Sequence, residues 1–251
     1  MDPPASIPPS RAEPFPATGV PAGPAPDRRR LPDWRSVLAV VAHPDDESFG
    51  LGAVLAAFVA AGAEVSVLCF TRGEASTLHG VSGDLTEVRA KELRAAADAL
   101  GVISVELLDH PDGRLSEVPL ADLTAQVSAA ARTGATGLLV FDPSGVTGHP
   151  DHRRATEAAL GAAGTLGLRV LGWTVPADVA ATVNAEHATS FVGHPPSAID
   201  LTVTVDRARQ HEAVRCHPSQ AVPASPLWRR LELLGDNEHL RWLPDGQGKA
   251  H

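Results

Sequence analysis

The chain has 251 residues, with 21 lysines and arginines against 30 aspartates and glutamates, for a formal charge of −9. An apolar content of 43% excludes a disordered chain and allows one domain with a substantial core. The acidic balance excludes bulk binding to nucleic acid or to an anionic membrane surface, both of which need clustered positive charge.

Ten of the 22 prolines fall between Pro3 and Pro32, in a stretch without apolar periodicity. Residues 1–33 therefore read as a disordered, proline-rich arm, and 34–251 as a single domain. The arm has no apolar run of signal-peptide length, and no segment of the chain reaches the roughly 20 apolar residues of a membrane helix. Two cysteines, Cys69 and Cys216, cannot build a disulfide framework, which points to a reduced, cytoplasmic compartment.

From Trp34 onward strands and helices alternate. Val37–Ala42 is a continuous apolar run, the pattern of a strand buried on both faces. A helix is predicted over Ser48–Ala61, a strand over Glu64–Phe70, and a helix over Leu85–Leu100 with Gly101 as its stop. A third strand follows at Val102–Leu108, a helix at Leu120–Arg132 and a fourth strand at Gly137–Phe141. The pattern continues with a helix over Asp151–Leu166 and a fifth strand over Leu168–Thr174. Beyond it a helix near Ala177–Glu186, a strand at Ile199–Val205 and a helix at Asp206–Arg215 are expected. The fold class is α/β: a Rossmann-like three-layer sandwich. Its mostly parallel sheet has order 3-2-1-4-5 plus a C-terminal extension, with helices on both faces.

In such a sheet ligands bind at the carboxyl ends of strands, where the order reverses between strands one and four. Two segments loaded with polar chemistry follow those two strands: Ala42-His-Pro-Asp-Asp-Glu47 and Gly148-His-Pro-Asp-His152. His43 and Asp46 are three residues apart, as are His149 and His152, so each pair can project to one side of a helical first turn. Two imidazoles and a carboxylate form a set suited to catalytic zinc or non-haem iron. Asp45, beside a ligand but pointing elsewhere, is placed to take a proton from water. Taken singly, either segment reads as a turn with an Asp helix cap.

With Thr71-Arg-Gly-Glu74, Arg89-Ala-Lys-Glu-Leu93 and His217-Pro-Ser-Gln220, these motifs stand in the order found in one family. Across Val37–Gln220 the chain resembles the LmbE-like (PIG-L) zinc-dependent N-deacetylases. The resemblance implies zinc, with Fe2+ as the alternative, held by His43, Asp46 and His152. It makes Asp45 the general base, and His149 a cationic group that stabilises the oxyanion and protonates the departing amine. Asp151 then serves as a partner fixing an imidazole, while Arg89, Glu74 and His217 are candidates for substrate binding. The implied substrate is an N-acetylated sugar or glycoconjugate, typically one containing N-acetylglucosamine. Members of the mycothiol pathway carry a tyrosine two residues before the first histidine of the second motif; here that position is Thr147, and the chain has no tyrosine.

The alternatives are a non-catalytic small-molecule binder and a nucleotide-binding Rossmann-like domain, the latter prompted by Gly50-Leu-Gly52. The dinucleotide fingerprint fails at Leu55, and the carboxylates nearby would repel a pyrophosphate. A serine or cysteine hydrolase built on Ser219 or Cys216 lacks the Gly-x-Ser-x-Gly elbow. Composition leaves the oligomeric state open, a homo-oligomer included.

Overall fold

The computed structural model describes residues 28–78, 84–223 and 225–244. In chain order the elements are β1 (Ser36–Val41), α1 (Asp46–Phe49), α2 (Gly52–Ala60), β2 (Glu64–Thr71), α3 (Leu85–Leu100) and β3 (Ser104–His110). Next come α4 (Leu120–Ala131), β4 (Gly137–Phe141), α5 (Pro150–Leu166), β5 (Arg169–Pro176), α6 (Ala177–His187) and β6 (Gly193–His194). The chain ends with β7 (Leu201–Thr204), α7 (Ala208–Arg215), α8 (Pro226–Leu234) and β8 (Asn237–Leu243). No helix among the described residues is long and apolar enough to cross a membrane.

The sheet runs β3-β2-β1-β4-β5-β8-β7, with β6 paired to the end of β5. Strands β1 to β5 are parallel and take the expected order, and β8 joins them antiparallel to both β5 and β7. One core layer packs α2, α3, α6, α7 and α8 on one face; the other packs α4 and α5 on the opposite face. The alternation of β1 shows why its sequence is wholly apolar: Val37, Ala39 and Val41 enter the first layer, Leu38 and Val40 the second.

Three expectations change. The helix predicted over Ser48–Ala61 is broken into α1 and α2. The side chain of Gln210 donates to the Ser48 and Phe49 carbonyls and Arg230 donates to Phe49 O, so these carbonyls are drawn from the helical ladder. Second, the tail contributes α8 and β8, which apolar pattern does not reveal. The strand Asn237-Glu-His-Leu-Arg-Trp-Leu243 reads as polar because its buried Glu238 is held by Arg207 at 2.5 Å and by Trp173 Nε1 at 2.6 Å. Third, residues 28–33 of the proposed arm lie against the domain. Arg28 O accepts the Thr202 N–H, and Leu31 packs on the core. The rest of that arm, residues 1–27, lies outside the described residues.

Candidate metal centre and active site

Strands β1 and β4 are neighbours, so the loops leaving their carboxyl ends meet at the point where the strand order reverses. After β1 the chain turns sharply through Pro44 and Asp45 into α1. Asp45 has φ 127°, a region that side chains rarely occupy and that costs on the order of 1–3 kcal/mol. The turn is held from several directions. Asp46 Oδ2 accepts the N–H groups of Ala42 and His43 at 3.2 and 2.9 Å, and Glu47 Oε2 accepts the Asp45 N–H at 2.9 Å. Arg89, on α3 and 3% exposed, donates to Gly73 O and Pro44 O and lies 3.3 Å from Asp45 Oδ2. After β4, α5 starts at Pro150, with His149 as its cap.

These turns bring three donors together. His43 Nδ1 lies 3.2 Å from His152 Nε2 and 3.5 Å from Asp46 Oδ2, and His152 Nε2 lies 3.2 Å from Asp46 Oδ1. The two legs to Asp46 end on different oxygens, and each spacing is close to the roughly 3.4 Å that separates ligand atoms about 2.1 Å from a tetrahedral ion. The other ring nitrogens are occupied in the manner of metal-binding imidazoles. His152 Nδ1 is 3.0 Å from Gly145 O, which fixes the proton there and leaves Nε2 its lone pair. His43 Nε2 faces Asp112 Oδ1 at 3.1 Å and Asp151 Oδ2 at 3.3 Å. Asp151, fully buried, is fixed in turn by the N–H groups of Gly113 and Leu115.

His149 lies beside this triangle, its ring centroid 4.8 Å from those of both His43 and His152, and its ring nitrogen is also within reach of a shared ion. Its Nδ1 accepts the Asp151 N–H at 3.2 Å. With Nδ1 accepting that N–H, the tautomer that fits is the neutral ring with its proton on Nε2. Burial pushes His149 below the usual histidine value, and the neighbouring His43 and His152 push it further. For Asp45, burial raises the carboxyl to about 6 against the pull of Arg89. Asp46 goes the other way: burial would raise it, but His152 and His43 hold it well below the usual carboxylate range.

The candidate substrate residues divide. Arg89 borders the cavity above the triangle, a space of about 460 Å3, but its guanidinium is committed to the Asp45 turn. Glu74 is exposed and outside the cavity; it accepts the Asp112 N–H and so braces the loop that carries Asp112. His217 does not reach the cavity rim. It is sealed beneath α1, with Nε2 at 2.7 Å from Glu47 Oε1, and with Nδ1 at 3.9 Å from Glu92 Oε2 and without a hydrogen-bond partner among the described residues. Thr147 does border the cavity. Asp142 serves its turn and more, accepting from Ser144 N–H at 2.9 Å and Arg241 at 2.6 Å, with His194 at 3.1 Å. Asp112 had no signal in the sequence beyond the turn pair Asp112-Gly113, because its partner His43 is distant in the chain.

The glycines of the rejected dinucleotide motif have steric reasons. A Cβ on Gly50 would stand 2.3 Å from the Phe141 ring, and one on Gly52 would stand 3.0 Å from Gln210 Cγ.

A family model described as PIG-L, GlcNAc-PI de-N-acetylase, matches residues 38–163. The chain belongs to the PIG-L family. It is 32% identical over 267 residues to the 1D-myo-inositol 2-acetamido-2-deoxy-α-D-glucopyranoside deacetylase of Kineococcus radiotolerans, covering 79% of this chain and 74% of that one. The enzyme of the same name from Mycolicibacterium vanbaalenii is 32% identical over 242 residues, covering 78% and 84%. The crystal structure of the A40926 pseudoaglycone deacetylase shares the fold, with a TM-score of 0.67 at 22% identity over 89% of this chain and all of that one. Membership makes this PIG-L chain an amide hydrolase.

Proposed function

We propose that the chain removes the N-acetyl group from an amino sugar of the N-acetylglucosamine type, with a divalent metal, zinc in the first place, held by His43, Asp46 and His152. The observation that carries this reading is the 3.2–3.5 Å triangle of His43 Nδ1, Asp46 carboxylate and His152 Nε2 beside the strained Asp45. Zinc bound there supplies Lewis acidity, polarising an amide carbonyl and making water nucleophilic at neutral pH.

The side chains divide the remaining work. Asp45 accepts the proton of the attacking water, a task suited to a carboxyl held at about 6. His149, neutral with its proton on Nε2, donates a hydrogen bond to the oxyanion of the tetrahedral intermediate. In this reading His149 acts as a neutral donor and not as the expected cation, a choice supported by its Nδ1 accepting the Asp151 N–H. Return of the proton to the departing nitrogen then falls to Asp45, and the C–N bond breaks to give acetate and the free amine. Asp112 and Asp151 orient His43 through Nε2, and Arg89 keeps Asp45 in place.

The relatives' printed names support a glucosaminide, a small molecule, as substrate; its turnover in the cytoplasm is proposed from the cysteine content alone. Thr147, where a tyrosine stands in mycothiol-pathway members, leaves the oxyanion with His149 as its side-chain donor. The test is acetate release from a set of N-acetylglucosaminides by purified protein, with and without chelator and with zinc added back. Chelator-sensitive release supports the reading, and release unaffected by full metal removal overturns the metal assignment.

A further inference from the structure

The cavity extends past the metal triangle along an aromatic wall. The Phe141 ring stands 4.8 Å from that of His152 and 5.5 Å from that of Trp173, and Phe49 and Phe191 close the same space. Arg230 of α8 also lines this space and is only 3% exposed. Its guanidinium carbon sits 4.9 Å over Trp173 and 6.0 Å from the centroid of Phe191. Among the described residues its one hydrogen bond runs from Nη2 to Phe49 O, and its Nε is buried without a partner.

Among the described residues no carboxylate forms a direct ion pair with it, although the charges of Glu238 and Asp46 act on it. The nearby Glu238 has one oxygen on Arg207 at 2.5 Å and the other on Trp173 Nε1 at 2.6 Å. Two buried arginines thus share one buried carboxylate, which leaves Arg230 on the cavity wall without a direct ion-pair partner among the described residues. Burial, with Arg207 adding to it, pushes the Arg230 guanidinium down to about 10, against the pull of Glu238 and Asp46. A desolvated, unpaired cation is costly in a fold unless a ligand completes it. Arginine is also the side chain best suited to grip a carboxylate in a dry site.

We infer that Arg230 forms a subsite for an anionic group of the substrate, a carboxylate that sits in the same cavity as the reacting amide and against the Phe49–Phe141–Phe191 wall. The carboxylate has two chemical sources, the end of a longer N-acyl chain or the aglycone of the glucosaminide. This assignment rests on the deacylase reading above.

The experiment compares matched pairs differing only in carboxylate against carboxamide. One arm uses N-succinylglucosamine and its terminal amide; the other uses the 2-carboxyethyl glycoside of N-acetylglucosamine and its amide. Each pair is assayed for kcat/KM and for the shift in melting temperature of the zinc-loaded full chain, in the wild type, Arg230→Gln and Arg230→Met. A charge-assisted pair in a dry site predicts a preference for the carboxylate of about tenfold to a hundredfold in one arm, falling to near unity in both variants. The responsive arm identifies the source. Equal handling of carboxylate and amide by the wild type in both arms, or a preference that survives both substitutions, overturns the subsite. Because the melting shift reads binding without turnover, absence of any hydrolysis overturns the deacylase reading and still leaves the Arg230 subsite decided. Should either variant fail to fold, the wild-type comparison decides the matter alone.

Discussion

His217 and Glu47 face each other across 2.7 Å in a space closed to solvent, although they lie 170 residues apart in the chain. The other oxygen of Glu47 accepts the Asp45 N–H, so the pair supports the strained residue that stands next to the metal triangle. Ser48 Oγ completes the carboxylate's set at 2.5 Å. Burial would push His217 down, but Glu47 outweighs it and holds the imidazole above its usual value.

Removing His217 leaves the Glu47 carboxylate buried without its cation. His217→Ala is expected to cost about 3–5 kcal/mol in unfolding free energy, measured by urea denaturation. His217→Gln, which keeps a donor, should recover part of that loss. A cost below about 1 kcal/mol for the alanine variant would remove the pair from the support of the turn.

Asp45→Asn preserves the shape of the turn while removing the proton acceptor. Turnover of an N-acetylglucosaminide should fall by about 10²–10⁴-fold with zinc content unchanged by elemental analysis. Retained turnover would take Asp45 out of the base role.

His152→Ala opens the donor triangle. Stoichiometric zinc should be lost after dialysis against a weak chelator, together with the stabilisation that a bound ion gives the native state. Unchanged occupancy would show that the ion is held by the alternative histidine and carboxylates around His43.

Gly50→Ala tests the packing under the site. The added Cβ would meet the Phe141 ring at 2.3 Å and Asp46 O at 2.9 Å, and Phe141 itself stacks edgewise on His152. A loss of about 1–3 kcal/mol is expected, with weakened zinc affinity, by calorimetry and metal titration.

Asp142 supplies a pH test remote from the triangle. Burial would raise its carboxyl, but Ser144, His194 and Arg241 outweigh that and hold it below the usual value. A depressed folded value means stabilisation present above the unfolded value, about 4, and lost as the pH falls through the folded one. Asp142→Asn should therefore be less stable than the wild type by about 1–3 kcal/mol at pH 7, with the gap closing under acid. A gap that widens as the pH falls would contradict this sign.

The two donor motifs, which the structure brings together, were legible because each is local. The three-residue spacings of His43 with Asp46 and of His149 with His152 place their donors within single turns, and apolar runs such as Val37–Ala42 mark the strands that end beside them. The tail was not legible, since Glu238 in β8 looks like a surface charge until Arg207 and Trp173 are folded against it. Glu74 and His217 stand in motifs of the right order, yet the structure turns one outward and seals the other beneath α1.

By itself the acidic sequence, with its crowded early prolines, determined the alternation of strands and helices, the parallel order of the first five strands and the family. Backbone periodicity and short-range spacing are local properties, so they survive in one dimension. Only the tertiary structure decided what each charge does: that Arg89 serves the Asp45 turn, that Asp112 orients His43, and that Arg230 lines the cavity with its Nε lacking a hydrogen-bond partner among the described residues. The state of a buried charge depends on which distant segments remove its water and which return a partner, and that is settled by the order in which the strands assemble.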